Sequence, residues 1–221
     1  MYYFDKKQIH TTFIEKNIKE SFLKGTTTVG AQFKEFIVLA SDRRVTSGYY
    51  IAHRRGKKIH MIDKHAAMTI AGTVADAQKL VDKLRANARL YRLDKGRPIP
   101  IKSLATLASS ILLDLRPLLF IVQLIIGGMD DKGPQLFTVD WYGSVTKEKY
   151  TATGSGSRIA IGILESGYRE ELSINEAIKL AVRAVSSAIR RDVGTGEGID
   201  VVTVSSQGYK ELSQDMISSI I

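Results

Sequence analysis

Apolar and polar residues alternate along the first third of this chain in the manner of strands. Residues 27–40, 43–47, 57–62 and 65–71 form short runs rich in β-branched and apolar side chains, separated by turn formers, and each predicts a strand. The period then changes. Ala77, Leu80, Val81, Leu84, Ala88 and Tyr91 recur at helical spacing, which predicts a helix over 75–93. A second helix is expected over 102–115, ended by Pro117, whose ring clashes with the preceding turn of a helix. Strands return at 119–126, 135–140 and 145–153. Ser173 followed by Glu176 makes a capping box for a long helix reaching Arg191, with Ile174, Ile178, Val182, Val185 and Ile189 on its apolar face. Two last strands are expected at 199–205 and 209–212. This succession lets two sheets pack face to face with helices outside, so the pattern predicts an α+β fold. With no internal repeat and no low-complexity linker, it predicts one domain after a leader segment.

The apolar run 118–126 is interrupted by Gln123. It is also far shorter than the roughly 20 residues a membrane helix needs, so it reads as a buried strand. The first 25 residues mix Lys6, Lys7, Lys16, Lys19 and Lys24 with Asp5, Glu15 and Glu20 and have no continuous apolar stretch, which argues against a secretory signal. Their aromatics, Tyr2, Tyr3, Phe4, Phe13 and Phe22, describe a segment that docks on something. At 221 residues, 44% apolar and 25% charged, the chain has the composition of a soluble domain with a sizeable core. Cysteine is absent, which excludes disulfides and thiolate metal sites and suits a reducing cytosol.

His10, His53, His60 and His65 lack metal-ligand spacing, so no metal is expected. The net charge of +9 raises the question of nucleic acid. The basic residues are nevertheless spread along the chain, and no RNA-binding signature with interleaved aromatics occurs. The densest cluster, His53, Arg54, Arg55, Gly56, Lys57 and Lys58, reads as a solvated loop. Neither a nucleic-acid partner nor a membrane is expected.

The run Gly25, Thr26, Thr27, Thr28, Val29, Gly30, with Asp42, Lys58 and Gly72 downstream, points to a threonine nucleophile exposed by cutting the chain before it. A threonine hydroxyl is a weak nucleophile at neutral pH and needs a base. In enzymes whose nucleophile is the N-terminal residue, that base is the residue's own α-amine, which titrates at about 7.7–8.0 in model peptides. A buried lysine oriented by a carboxylate favours loss of the hydroxyl proton and keeps the amine from protonating too readily. Lys58 and Asp42 fit those roles. The N–H of a glycine, where the main chain can approach a substrate closely, serves as an oxyanion donor, and Gly72 is the candidate. Each residue also has an ordinary use: threonines start strands, a strand lysine faces solvent, and Asp42 and Gly72 suit turns and connections. Spacing alone leaves both readings open.

Ordered segments along the chain then resemble proteasome β subunits of the archaeal type. They are 26–30 (TTTVG), 41–46 (SDRRVT), 56–63 (GKKIHMID), 68–78 (MTIAGTVADAQ), 90–93 (LYRL), 122–128 (VQLIIGG), 153–157 (TGSGS) and 162–166 (GILES), with Arg191, Asp192 and 199–202 (IDVV). The resemblance runs from Thr26 almost to the C-terminus. It implies the four-layer αββα sandwich of N-terminal-nucleophile hydrolases, with residues 1–25 a propeptide removed by self-cleavage and 26–221 the catalytic domain.

By this resemblance Thr26 is the nucleophile, Asp42 and Lys58 tune it, and the Gly72 N–H binds the oxyanion. Ser155 and Asp192 support the threonine amine and a water. Thr195 stands where the family commonly has serine, keeping the hydroxyl while its methyl is expected to alter water placement or processing rate. Val45, Gly56, Ile70 and Val74 would line the pocket before the scissile bond. Their apolar character implies cleavage after large hydrophobic residues, with acidic residues the alternative because of the basic loop.

The resemblance further implies α subunits and other β subunits in stacked seven-membered rings, an AAA-type ATPase acting through the α ring, unfolded polypeptide substrates, a cytoplasmic location and no cofactor. The alternatives are an unprocessed, non-catalytic ring subunit with an assembly role, and an amidohydrolase of the same fold acting on a small substrate.

Overall fold

In the computed structural model, which describes residues 25–72, 74–114 and 122–220 and only the backbone of 74–77, two sheets pack face to face between helical layers. The first half of the chain forms β1 (Thr28–Gln32), β2 (Phe36–Asp42), β3 (Val45–Ser47), β4 (Tyr50–His53), β5 (Ile59–Asp63), β6 (Ala66–Gly72), α1 (Val74–Lys95) and α2 (Ile101–Asp114). The second half forms β7 (Val122–Asp130), β8 (Gly133–Val139), β9 (Val145–Lys147), β10 (Tyr150–Thr153), α3 (Ser157–Gly167), α4 (Ile174–Ile189), β11 (Ile199–Ser205), β12 (Gly208–Glu211) and α5 (Gln214–Ser218). The first sheet runs β10-β1-β2-β11-β12 and the second β5-β6-β7-β8-β9, with β3 and β4 a separate hairpin. This is the expected α+β sandwich.

Three apolar clusters follow from this layering. Ile37, Leu39, Ile59, Ala67, Ile125, Leu136, Val202 and Val204 fill the space between the sheets. Leu84, Leu104 and Ile126 belong to the cluster under α1 and α2, while Val38, Leu164, Val182 and Val185 belong to the one under α3 and α4. Every residue of β2 is buried, because Ile37 and Leu39 face the second sheet while Val38 and Ala40 face the helices. That is why its sequence reads as a nearly unbroken apolar run ending in Asp42.

Several elements differ from the sequence expectation. The strand expected over 27–40 is two strands, because the chain turns at 33–35, where the Phe33 N–H bonds the Phe36 carbonyl at 2.8 Å. The apolar Phe33 and Phe36 on either side hid the turn. The strand expected over 145–153 is likewise divided into β9 and β10.

Three elements were not anticipated: β4, α3 and α5. Helix α3 has Gly156 at its N-cap and no side-chain cap bond, so the usual start signal is missing. By contrast the Ser173–Glu176 capping box is present, opening α4. Its predicted apolar face holds at Ile178, Val182 and Val185, but Ile174, in the first turn, is exposed. The stop at Pro117, Leu115, residues 119–121 and the leader through residue 24 lie outside the described residues.

Truncating Leu39 in the inter-sheet core leaves a cavity at a site boxed in on both sides. Leu39→Ala is expected to cost about 3 kcal/mol, against about 1 kcal/mol for Ser173→Ala at the α4 cap. Urea unfolding of both variants checks this, and a larger loss for Ser173→Ala would contradict the layered core.

Candidate active site

β1 begins beside the end of β2, with Thr28 paired to Ser41, so Thr26 and Thr27 run past the sheet next to Asp42. Asp42 is fully buried and accepts four hydrogen bonds. Its Oδ1 takes Lys58 Nζ at 2.6 Å and the Thr27 N–H at 2.9 Å. Its Oδ2 takes the Arg44 and Gly196 N–H groups, each at 3.0 Å. Lys58 immediately precedes β5 of the other sheet, so this ion pair joins the two sheets. Burial lowers the Lys58 pKa below the usual lysine value, opposed first by the charge and hydrogen bond of Asp42 and then by Asp192, while Arg44 reinforces the lowering.

A second carboxylate collects two branches of hydrogen bonds. The Thr26 N–H donates to Ser155 Oγ at 3.1 Å, and Ser155 Oγ donates to Asp192 Oδ2 at 2.5 Å. Thr195 Oγ1 also donates to Asp192 Oδ2, which leaves Thr195 to accept from Thr27 Oγ1 at 2.7 Å. The threonine at position 195 thus keeps the hydroxyl connection that a serine would supply. Gly154, with φ +91°, brings the β10–α3 turn so close that a Cβ there would lie 2.1 Å from the Thr26 carbonyl oxygen.

On the other side of Thr26 opens a cleft of about 820 Å³. Of the expected residues, Thr26, Lys58, Gly72, Val45, Gly56 and Ile70 line it. Ser155, Asp192 and Thr195 approach Thr26 and Thr27 through the hydrogen bonds described, and the Val74 side chain lies outside the described residues. Gly72 ends β6 opposite Val122. Arg54, Arg55 and Lys57 form a basic wall, with His53 and His60 beside them.

Sequence reasoning missed the roles of four residues. Thr27 binds both carboxylate networks, and Thr46 Oγ1 accepts the Gly25 N–H at 2.7 Å. Arg44 donates from Nη1 to the Val193 carbonyl at 2.7 Å and pairs through Nη2 with Glu197 at 3.2 Å, and Glu197 adopts a left-handed φ of +65°. The position of Glu197 between Gly196 and Gly198 was the available signal for an unusual turn; the Arg44 contacts had none.

The residues concerned match a known family. Residues 22–204 match the family described as "Proteasome subunit". The chain is 51% identical to proteasome subunit beta 1 of Caldivirga maquilingensis over 89% of its own length and 97% of the relative's. It is 54% identical to proteasome subunit beta 1 of Pyrobaculum calidifontis over 85% and 94%, and 45% identical to proteasome subunit beta 2 of Nitrosopumilus maritimus over 94% and 99%.

Burial, with Arg85 and Lys57 nearby, pushes the His60 pKa down to about 4. Between pH 6.5 and 4 the unfolded chain therefore binds a proton that the native chain refuses, and stability falls as pH drops through that window. His60→Gln is expected to flatten that part of the stability curve. Melting temperatures at steps from pH 7 to pH 4 check this, and an unchanged slope would contradict it.

Proposed function

The chain belongs to the proteasome subunit family, and on that premise we propose that it is a threonine endopeptidase of the core particle that frees its own nucleophile by cleaving between Gly25 and Thr26. Membership of the family implies assembly with other subunits into a core particle. The observation that carries the reading is the position of Thr26. Its N–H meets the Ser155–Asp192 pair, the N–H of the next residue meets the Asp42–Lys58 pair, and Thr26 lines the cleft together with Lys58.

In self-cleavage, Thr26 Oγ1 adds to the Gly25 carbonyl carbon. The carbon–nitrogen bond breaks, the hydroxyl proton ends on the released nitrogen, and an ester joins Gly25 to Thr26. Water hydrolyses that ester, leaving a Gly25 carboxylate, a restored Thr26 hydroxyl and a free α-amine. The amine is then the base for substrate cleavage: it takes the hydroxyl proton, Oγ1 attacks the peptide carbonyl, and the Gly72 N–H holds the oxyanion. The proton passes to the departing amine, and water then attacks the acyl carbon, breaking its bond to Oγ1, releasing the new carboxylate and restoring the Thr26 hydroxyl. Lys58, oriented by Asp42, favours the alkoxide, while Ser155, Asp192 and Thr195 hold the amine. Residues 1–25 are the propeptide and 26–221 the mature subunit in this reading.

The substrates are unfolded polypeptides delivered through an outer α ring by an AAA-type ATPase in the cytoplasm. Ile70 and Val45 favour a large hydrophobic residue before the scissile bond, and the basic wall is the reason glutamate is the competing choice. Enclosure within stacked rings would protect other proteins from so unselective a nucleophile.

After co-assembly with α subunits, the intact mass is expected to correspond to residues 26–221, and Thr26→Ala should abolish both maturation and peptide hydrolysis. A full-length mass would instead make the chain an unprocessed ring subunit. Hydrolysis by Thr26→Ala at the wild-type rate would refute the nucleophile assignment. Among peptides with leucine, tyrosine, glutamate or arginine before the leaving group, leucine or tyrosine is expected to be cut fastest. Fastest cleavage after arginine would sink the hydrophobic preference, and fastest after glutamate would transfer specificity to the basic wall.

A further inference from the structure

The bond at issue in self-cleavage is held by contacts that exist only while the leader is attached. Gly25 and Gly194 are packed backbone against backbone. A Cβ built on Gly25 would lie 1.9 Å from the Gly194 Cα, and one built on Gly194 would lie 2.2 Å from the Gly25 Cα. Neither distance is tolerable for real atoms. The three nearest atoms to a Cβ at Gly194 all belong to Gly25: Cα at 2.2 Å, N at 3.1 Å and C at 3.2 Å. Gly194 is also absent from the left-handed glycines, so its backbone conformation does not itself demand glycine. The three nearest obstacles to a side chain at this position thus belong to the residue that self-cleavage removes.

Of the two sides, the loop is the more firmly held. The Gly25 N–H is tied to Thr46 Oγ1 at 2.7 Å, and the next carbonyl, that of Thr26, accepts the Gly156 N–H at 3.4 Å. The loop holding Gly194 is tied on both sides. Arg44 Nη1 binds the Val193 carbonyl at 2.7 Å, and the Gly196 N–H binds Asp42 at 3.0 Å. A methyl group at position 194 would therefore displace Gly25 rather than the loop, and with it the carbonyl carbon that Thr26 Oγ1 must reach.

Resting on the self-cleavage reading above, we propose that Gly194 is a positioning residue specific to the precursor. It forms the seat that places the Gly25 carbonyl for attack, and its lack of a side chain is not needed for peptide hydrolysis once Thr26 is free. The pairing makes the identity of the residue before Thr26 a matter of fit against one loop. It also separates the demands of maturation from those of turnover at a single position. An alanine at 194 keeps the N–H that donates to Asp192 Oδ1 at 3.4 Å, so the carboxylate network survives the change.

The test follows maturation of full-length wild type, Gly25→Ala and Gly194→Ala after mixing with α subunits, by intact mass against time. Peptide turnover is then measured per chain bearing a free Thr26. A displacement of the reacting atoms by about 1 Å can slow a reaction by about a hundredfold, so both variants should mature at least about tenfold more slowly than wild type. Chains of Gly194→Ala that do mature should turn over peptide within about twofold of wild type, because the methyl then faces the space Gly25 has left.

Maturation of Gly194→Ala at the wild-type rate would overturn the proposal. So would a loss of turnover per mature chain as large as the loss in maturation. Gly25→Ala keeps the proposal testable if Gly194→Ala does not assemble, since its mature product is identical to wild type; normal maturation of Gly25→Ala would then overturn it. Failure of wild type itself to mature would strike the self-cleavage reading instead.

Discussion

The buried ion pair between Asp42 and Lys58 is the constraint around which the rest of the site is arranged. A carboxylate with no solvent contact costs several kcal/mol unless each lone pair finds a donor, and removing its partner typically costs about 3–5 kcal/mol. Asp42 meets that demand with one ammonium and three backbone N–H groups. Those N–H groups belong to Thr27 beside Thr26, Arg44 before the β3–β4 hairpin, and Gly196 in the loop after α4. Satisfying one carboxylate thus draws the segments of Thr27 and Gly196 and, through Lys58, the second sheet to a single point. Replacing such a pair by apolar packing is often neutral for stability. Here the pair also holds the Thr27 N–H, and with it the chain next to Thr26.

Asp192 complements this from the opposite side, though with greater exposure. It gathers Ser155 and Thr195, and through them the main chain of Thr26 and the side chain of Thr27. Thr27 is therefore held by its N–H, its hydroxyl and its carbonyl, the last accepting the Asp42 N–H at 3.1 Å. Thr26, adjoining a residue so fully fixed, has little orientational freedom of its own, and preorganisation of that kind lowers the barrier for a group that reacts. The inter-sheet hydroxyl cluster of Thr28, Thr69 and Thr153 adds a polar tie directly beneath, with contacts of 2.9 and 2.7 Å. The three consecutive threonines consequently have three different surroundings.

The cleft is asymmetric in the same sense. Its apolar residues, Val45, Ala52 and Ile70, come from strands, whereas the arginines and lysines come mainly from the 53–58 loop. Arg54 also reaches Glu197 at 3.5 Å, so the basic wall is tied to the loop that holds Thr195. The charge cluster that reads in sequence as a solvated loop is in part a wall of the site. Its histidine neighbour, His60, is kept neutral by burial and by the positive groups around it.

Much of the architecture was legible because strand alternation, helical spacing and the Ser173–Glu176 cap are local patterns. The same locality explains the misses. The turn at 33–35 was hidden between two phenylalanines, and α3 begins at a glycine with no capping side chain. Thr26, Asp42, Lys58 and Gly72 were singled out by the chemistry their residue types suit, and the resemblance added Ser155, Asp192 and Thr195, but neither gave the full set of partners each one meets. By itself the sequence determined the succession of elements, the apolar faces that form the three cores, and the chemical types available to the site. Only the tertiary structure decided that Asp42 answers Lys58 across two sheets, that Thr195 meets Thr27 from 168 positions away, and that Gly194 closes on Gly25. Such contacts depend on how close-packed layers bring distant segments together, and no local periodicity records that.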